Sequence, residues 1–275
     1  MIDGFHAGAT AYRVLYKSTG YDGKPTAVSG FIVVPGGPVP AAERRVLAYT
    51  HGTVGVASNC APSLLTRSDE QPLFLEGGAA FLAAGYVIAA SDYQGLGTPG
   101  PSPYLVGDSE AMNELDIARA AHNLAAAHAG TRFAVWGHSQ GGHAALFTGQ
   151  LAASYAPELH LVGVAAGGPA PNLIDLFKAN IKTTIGKVLI SMALQSWERV
   201  YHDAHLDQIV TAAARPIVAR IARNCLYTPS QILGSVPPRS RSASPSCTPL
   251  RGKPSPGRRS PRQTLPATRR PRHRS

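Results

Sequence analysis

The sequence lacks any apolar run of about 18 residues, so it predicts no transmembrane segment. Its first residues, Met1-Ile2-Asp3-Gly4-Phe5, have neither a basic n-region nor an apolar h-region, so no secretory signal peptide is visible. Cysteine is scarce as well: the chain has 3, which limits it to one internal disulfide.

Acidic residues are missing from residues 239–275, which carry ten arginines and one lysine, whereas residues 1–238 carry 15 basic and 16 acidic residues. The net charge of +10 therefore belongs to the final segment. That segment also lacks aromatics and periodicity, which predicts a disordered Arg/Pro/Ser-rich tail. It is interpreted either as a reading frame shifted near residue 238 or as a genuine disordered arm. Without interleaved aromatics, any binding of nucleic acid through it is expected to be nonspecific and salt-sensitive.

The rest of the chain alternates between strand and helix patterns, with two strands that form a hairpin at the start. The order predicts an α/β class protein with an α/β-hydrolase fold, built on a mostly parallel sheet. Predicted strands lie at residues 11–17, 26–34, 45–50, 86–90, 132–136 and 161–166, with helices near 74–84 and 108–127.

Three helical stretches then follow one another without a strand. We interpret residues 1–171 as the α/β-hydrolase core and residues 172–238 as a helical cap or lid over it. The cap helices are predicted at 173–179, 185–197 and 206–223, the last interrupted by Pro216. Two interpretations of the cap's apolar face are open: contact with lipid or acyl chains, or packing on the core. That face consists of Ile185, Leu189, Met192 and Trp197.

The strongest motif is Gly137-His138-Ser139-Gln140-Gly141, which follows the apolar run at residues 133–136. A G-x-S-x-G sequence between a strand and a helix is typical of a nucleophile elbow, in which a strained turn raises the serine above the sheet. The pattern predicts Ser139 as the nucleophile of an ester hydrolase. The alternative is a glycine-rich connection with an incidental serine.

Residues 49–53, Tyr-Thr-His-Gly-Thr, directly follow the third strand, where hydrolases of this fold complete the oxyanion hole. We expect the backbone N–H of Gln140 to provide one donor and that of Thr53 or Val54 the other. His51 lies in this loop, and we assign it a loop-shaping role. Its use as the catalytic base would reverse the chain order of the triad.

The acid and the histidine of a triad are not found downstream of Ser139. His143 lies one turn along the nucleophile helix and points away, His160 begins a strand at the opposite end of the sheet, and His273 is in the tail. Asp203 and His205 form either a makeshift dyad or part of a solvated helix face.

Five ordered motifs make the chain resemble the secretory lipase family, the lipase-A-like group of α/β hydrolases. They lie at residues 51–53, 59–63, 91–97, 137–142 and 225–229, and read HGT, NCAPS, SDYQGLG, GHSQGG and CLYTP. The resemblance implies hydrolysis of acylglycerols or other carboxylic esters through a serine acyl-enzyme, with no metal or organic cofactor. It also implies export from the cell.

The resemblance further implies a disulfide between Cys60 and Cys225, the alternative being two buried free thiols. It places Asp92 near the site, as a loop-organising residue rather than the triad acid. The family's acid and histidine lie beyond the cap, where this chain has its tail. We therefore expect a C-terminally truncated or frameshifted chain that lacks the last strands and is impaired as an enzyme. The alternatives are a non-catalytic lipid-binding remnant and an anion binder that acts through the tail.

Overall fold

The computed structural model describes residues 8–65, 75–227 and 231. The tail at 239–275, with Cys247 and His273, lies outside the described residues. Six strands and seven α-helices are present in the described part, and their order confirms the α/β-hydrolase fold. The strands are β1 (Thr10–Thr19), β2 (Pro25–Val34), β3 (Arg44–Thr50), β4 (Val87–Ser91), β5 (Ala129–His138) and β6 (His160–Gly167). The helices are α1 (Gly78–Ala83), α2 (Gly107–Asn123), α3 (Gln140–Tyr155), α4 (Leu173–Asn180), α5 (Thr184–Val200), α6 (Leu206–Ile209) and α7 (Arg215–Ile221).

The strands form one sheet in the order β1-β2-β4-β3-β5-β6. The β1–β2 hairpin is antiparallel, β2 pairs antiparallel with β4, and β4, β3, β5 and β6 run parallel. The carboxyl ends of β3 and β5 lie side by side, with Thr50 opposite Gly137. Ligand sites in open α/β sheets form at such ends, so this edge is where the site is expected.

Each sheet face has its own apolar core. Helices α2 and α3 cover one face, where Phe133, Leu115 and Ile117 are fully buried. Helix α1 covers the other, where Leu47 and Ile88 are buried. Strand β3 is apolar on both faces because it lies inside the sheet between these layers.

Strand β6 is the outermost strand of the described sheet, since it pairs only with β5. Its Val162 and Val164 are 45% and 39% exposed, unlike the valines of β2 and β3. An edge strand with exposed apolar side chains is a template for pairing with another chain.

The region predicted as a cap is helical where it is described, but its third predicted stretch is divided. Helix α6 ends at Ile209 and α7 begins at Arg215, with Pro216 in its first turn, where the missing proline N–H costs nothing. The apolar face of α5 packs largely on the core: Met192 is fully buried and Trp197 donates its indole N–H to the carbonyl of Tyr104 at 2.8 Å. Leu189 is partly buried in the same cluster, while Ile185 is 60% exposed.

Candidate active site

The turn between β5 and α3 has the geometry of a nucleophile elbow. Ser139 stands alone between the two elements, with φ 60° and ψ −118°, a conformation that side-chain-bearing residues rarely adopt. Its N–H donates to the carbonyl of Gly167 at 2.8 Å, and its carbonyl accepts from the N–H of His143 at 3.0 Å. The strained serine is therefore held from β6 on one side and from α3 on the other, and its side chain stays partly exposed.

The glycines of the motif are required by contacts with β3. A Cβ added at Gly137 would lie 2.0 Å from Oγ1 of Thr50, and one added at Gly141 would lie 1.9 Å from the Thr50 carbonyl oxygen. A Cβ on Gly142 would lie 2.8 Å from the Gly167 carbonyl oxygen. These distances leave no room for a Cβ at the three positions, so glycine is required there for the elbow to pack against the neighbouring strands.

The loop after β3 packs against this elbow. A Cβ on Gly52 would lie 3.4 Å from the His138 carbonyl oxygen, so the loop backbone passes beside the residue that precedes Ser139. Thr53 follows at once, and its hydroxyl lies 2.8 Å from the hydroxyl of Tyr104. On the other side, Gln140 is the first residue of α3 and is buried. Both predicted oxyanion donors therefore belong to segments next to the elbow.

His51 is buried within this loop rather than facing solvent. Its Nδ1 lies 2.7 Å from the Gly52 carbonyl oxygen and its Nε2 lies 3.3 Å from that of Asp92, while its ring stacks on Tyr93 at 4.3 Å between centroids. Burial lowers its pKa. Both ring nitrogens of His51 lie close to backbone carbonyls, which is consistent with the predicted loop-shaping role.

The Asp92 side chain connects its own segment after β4 to β2 and to the segment after β3. Its buried carboxylate accepts from the Ser29 hydroxyl at 2.6 Å and from the Ser63 backbone N–H at 2.8 Å, and the Ser63 hydroxyl donates to it as well. Desolvation raises the pKa of this carboxyl despite those donors. The carboxylate is engaged with serines of β2 and of the segment after β3, which fits a loop-organising residue.

A buried polar cluster behind the elbow was missed by the sequence analysis. Glu110 of α2 is 1% exposed; its Oε1 accepts from the side-chain amide of Gln140 at 2.7 Å and from the Leu105 N–H at 3.1 Å. Its Oε2 lies 2.9 Å from Nδ1 of His143. One carboxylate thus connects α2, the strained turn at Leu105 (φ 57°) and the first turn of α3.

None of the histidines that follow Ser139 in the described residues contacts its hydroxyl. His143 faces Glu110, away from the space above the elbow, as its place on the helix predicted. His160 is exposed at the start of β6. Asp203 and His205 are both exposed after α5, and the structure records no hydrogen bond between them.

Cys60 and Cys225 form a disulfide, with an S–S distance of 2.04 Å, as the family resemblance implied. The bond joins the loop after β3 to the end of the cap across 165 residues of sequence. Nearby, the Leu226 N–H donates to the Val54 carbonyl at 2.8 Å. The segment that carries Thr53 is therefore anchored to the cap by a covalent bond and a hydrogen bond.

The described residues hold no group of three or more histidine, cysteine or acidic side chains placed to bind a metal. In the same residues, no helix has both the length and the apolar character that crossing a membrane requires.

The comparisons with known proteins agree with this geometry. The family model described as secretory lipase matches residues 76–232. The chain belongs to the secretory lipase family. A curated relative from Mycobacterium tuberculosis, named probable inactive lipase, is 30% identical over 177 residues. Lipase A of Moesziomyces aphidis is 29% identical over 180 residues. Each match covers 62% of this chain, but only 39% and 37% of the respective relative. The chain thus matches less than half of these relatives' length.

Solved structures show the same fold. The closed state of Candida antarctica lipase A superposes with a TM-score of 0.66 at 24% identity, covering 78% of this chain and 50% of that one. A ligand-bound rice cell wall degrading esterase, LipA of Xanthomonas oryzae, superposes with a TM-score of 0.65 at 24% identity, covering 83% of this chain and 62% of that one. At this identity the likeness supports the α/β-hydrolase fold.

Proposed function

We propose that the chain carries the nucleophile and the oxyanion hole of a carboxylic-ester hydrolase. The observation that carries the proposal is Ser139, held partly exposed at φ 60° between β5 and α3. Attack of its hydroxyl oxygen on an ester carbonyl would form a tetrahedral oxyanion, and expulsion of the alcohol would leave an acyl-enzyme on Ser139.

The oxyanion donors in this proposal are the backbone N–H groups of Gln140 and Thr53. Gln140 opens α3, so its N–H has no partner one turn earlier in the helix and the helix dipole favours negative charge there. Thr53 is fixed by Tyr104 on one side and by the neighbouring disulfide segment on the other. Preorganised donors of this kind stabilise the transition state because they need no reorientation as charge develops.

The proposed substrates are acylglycerols or other carboxylic esters, as family membership suggests. Relatives include a secreted triacylglycerol lipase of Malassezia globosa, 27% identical over 237 residues. We propose an extracellular location on the same ground. A lipid-contacting surface on the cap would use the exposed Ile174, Leu176 and Ile185 of α4 and α5, within a cap at residues 172–238 on a core at residues 1–171.

We further propose that the 275-residue chain turns over esters slowly. The described residues place no histidine on the Ser139 hydroxyl, and without a general base the hydroxyl is a weak nucleophile. In serine proteases, removal of the base lowers turnover about 10⁶-fold and leaves about 10³–10⁴-fold catalysis over water. One relative is itself named a probable inactive lipase, which is consistent with loss of activity within this family.

The proposal is tested with p-nitrophenyl butanoate and the variants Ser139→Ala and Ser154→Ala, the latter an exposed serine on α3. Imidazole alone hydrolyses p-nitrophenyl esters, so every rate is taken above a protein-free blank at the same imidazole concentration. We expect slow hydrolysis by the wild type that added imidazole accelerates, because a diffusible base can replace a missing histidine. The acceleration should persist in S154A and vanish in S139A. Equal imidazole acceleration in S139A would refute Ser139 as the nucleophile. Turnover at 1–10³ s⁻¹ without imidazole, within the ordinary range for enzymes, would refute the slow-turnover proposal.

A non-catalytic lipid-binding protein is the second candidate, and the absence of a histidine contact to Ser139 in the described residues favours it. It predicts that fatty acid binds the chain while imidazole accelerates neither the wild type nor S139A. The tail-mediated anion binder rests on residues outside the described part of the chain.

A further inference from the structure

A cavity of about 310 Å³ lies between the cap and the core, beside the loop that carries the oxyanion segment. Its walls come from the loop after β3, from the segment before α2, and from α5 and α7. The lining residues are Val56, Ala57, Ser102, Gln195, Ser196, Arg199, Ala219, Ala222 and Arg223. The volume is at the lower end of the range for small-molecule sites.

Two arginines converge on this cavity without a carboxylate. Arg199 comes from the last turn of α5, and Arg223 follows α7. Within the part of the chain that the structure describes, neither guanidinium has an ion pair or a hydrogen bond, whereas the Arg119 guanidinium bonds both Asp116 and Glu158. Both arginines are exposed, and without acidic partners they give this cavity a local positive charge that an anion can neutralise.

Ser102 adds a nearly buried donor to the same cavity. The residue is 7% exposed, and among the described residues its hydroxyl has no hydrogen-bond partner. Its carbonyl is occupied by the Ser196 hydroxyl, whose oxygen also accepts from the Tyr104 N–H at 2.9 Å. The Ser102 carbonyl is therefore engaged, whereas the Ser102 hydroxyl is available to donate a hydrogen bond to a ligand in the cavity.

The opposite wall is apolar. Val56, Ala219 and Ala222 belong to or adjoin the buried cluster between the cap and the core. The lining residues include two arginines and no acidic residue, so the charge they carry is positive. The cavity thus combines positive charge from two arginines and the Ser102 donor with apolar surface at Val56. This combination suits an anion that carries a short apolar group.

We propose that this cavity binds a small carboxylate with a short alkyl chain, whose carboxylate lies against Arg199, Arg223 and Ser102. Arginine matches a carboxylate because its planar donors can contact both oxygens. The alkyl chain lies along the wall at Val56. Any ester hydrolysis releases a carboxylate, so such ligands accompany the proposed reaction, yet binding here requires no catalysis.

The test is isothermal titration of the full chain with sodium butanoate, acetate and inorganic phosphate in low salt. Butanoate should bind, and acetate should bind about 15-fold more weakly, since butanoate has two more methylenes and each buried methylene contributes about fourfold. Phosphate that binds as tightly as butanoate would refute a site for an alkyl carboxylate. No detectable butanoate binding would refute the site itself.

Variants locate the site. R199Q and R223Q should each weaken butanoate binding by about tenfold or more, because each removes a charge-assisted contact, and S102A should weaken it less. Arg220→Gln is the matched control, since Arg220 lies on α7 but does not line the cavity. The proposal is refuted if R220Q weakens binding as much as R199Q and R223Q do. Failure of the Ser139 experiment would leave this result untouched, because the two assays share no residue.

Discussion

Glu110→Ala is the substitution that most directly tests the polar cluster behind Ser139. The carboxylate is 1% exposed and accepts at 2.7 Å from Gln140 and at 3.1 Å from Leu105, with a third contact at 2.9 Å to His143. Alanine would leave three buried groups without their partner and open a small cavity. A buried hydrogen-bonding group left without its partner costs about 1–3 kcal/mol, so we expect E110A to lose about 3 kcal/mol or more.

Glu110→Gln separates the geometry from the charge. A glutamine keeps an oxygen for Gln140 and Leu105 but offers His143 an amide instead of a carboxylate oxygen. We expect a loss of about 1–2 kcal/mol, smaller than for alanine, because two of three contacts remain. Glu158→Gln is the control: Glu158 is an exposed partner of Arg119, and such surface pairs contribute less than about 1 kcal/mol.

Urea denaturation of the full chain and the three variants measures these differences. The reasoning requires the loss of unfolding free energy to fall in the order E110A, E110Q, E158Q. If E110A is no less stable than E158Q, then the cluster does not hold α2, α3 and the Leu105 turn together.

Three further predictions use the same measurement. Gly141→Ala should destabilise the chain by more than about 3 kcal/mol, since its Cβ would lie 1.9 Å from a carbonyl oxygen. Gly163→Ala is the control, because a Cβ there would have nothing within 4 Å, and equal losses in the two variants would contradict the elbow contacts. Burial raises the pKa of Glu114, so the unfolded chain loses that proton at a lower pH than the folded chain does. Above the ordinary glutamate pKa the stability should therefore fall by up to about 1.4 kcal/mol per pH unit, and a Glu114→Gln variant with the same slope would contradict this. Reducing the Cys60–Cys225 bond should lower stability by about 2–5 kcal/mol, since it closes a 165-residue loop; an unchanged urea midpoint would contradict this.

Local patterns predicted the strands and the elbow well, because those segments are specified by their own residues. The G-x-S-x-G spacing after an apolar strand fixes a turn that needs glycines, and the structure shows the steric reason at Gly137 and Gly141. The hairpin and the alternating order that follows likewise predicted the sheet.

The buried face of α2 was only partly predicted, because polar residues occupy it. Met112 of this helix is only half-buried, while Glu110 and Glu114 are almost fully buried. A periodicity of apolar residues cannot locate such carboxylates, since the partners of Glu110 in α3 are distant in sequence. Glu110 and Glu114 are four residues apart and therefore share one face of the helix. That spacing, beside apolar positions, was the available sign that both carboxylates are buried.

The cap shows a similar limit. Its helices were predicted from composition, but which apolar residues meet the core depends on how those helices dock. Met192 and Trp197 pack against the core, whereas Ile185 stays exposed. Contact with lipid therefore stays a prediction for Ile185 and its exposed neighbours.

The most direct test of the central claim is to map the adduct of a fluorophosphonate probe on the full chain by mass spectrometry. With imidazole added as a diffusible base, the elbow geometry predicts slow modification of one peptide, which carries Ser139, and no modification in the S139A variant. An adduct on other serines at the same rate, or an intact Ser139 after prolonged incubation with the folded chain, would contradict the assignment of this hydroxyl as the nucleophile.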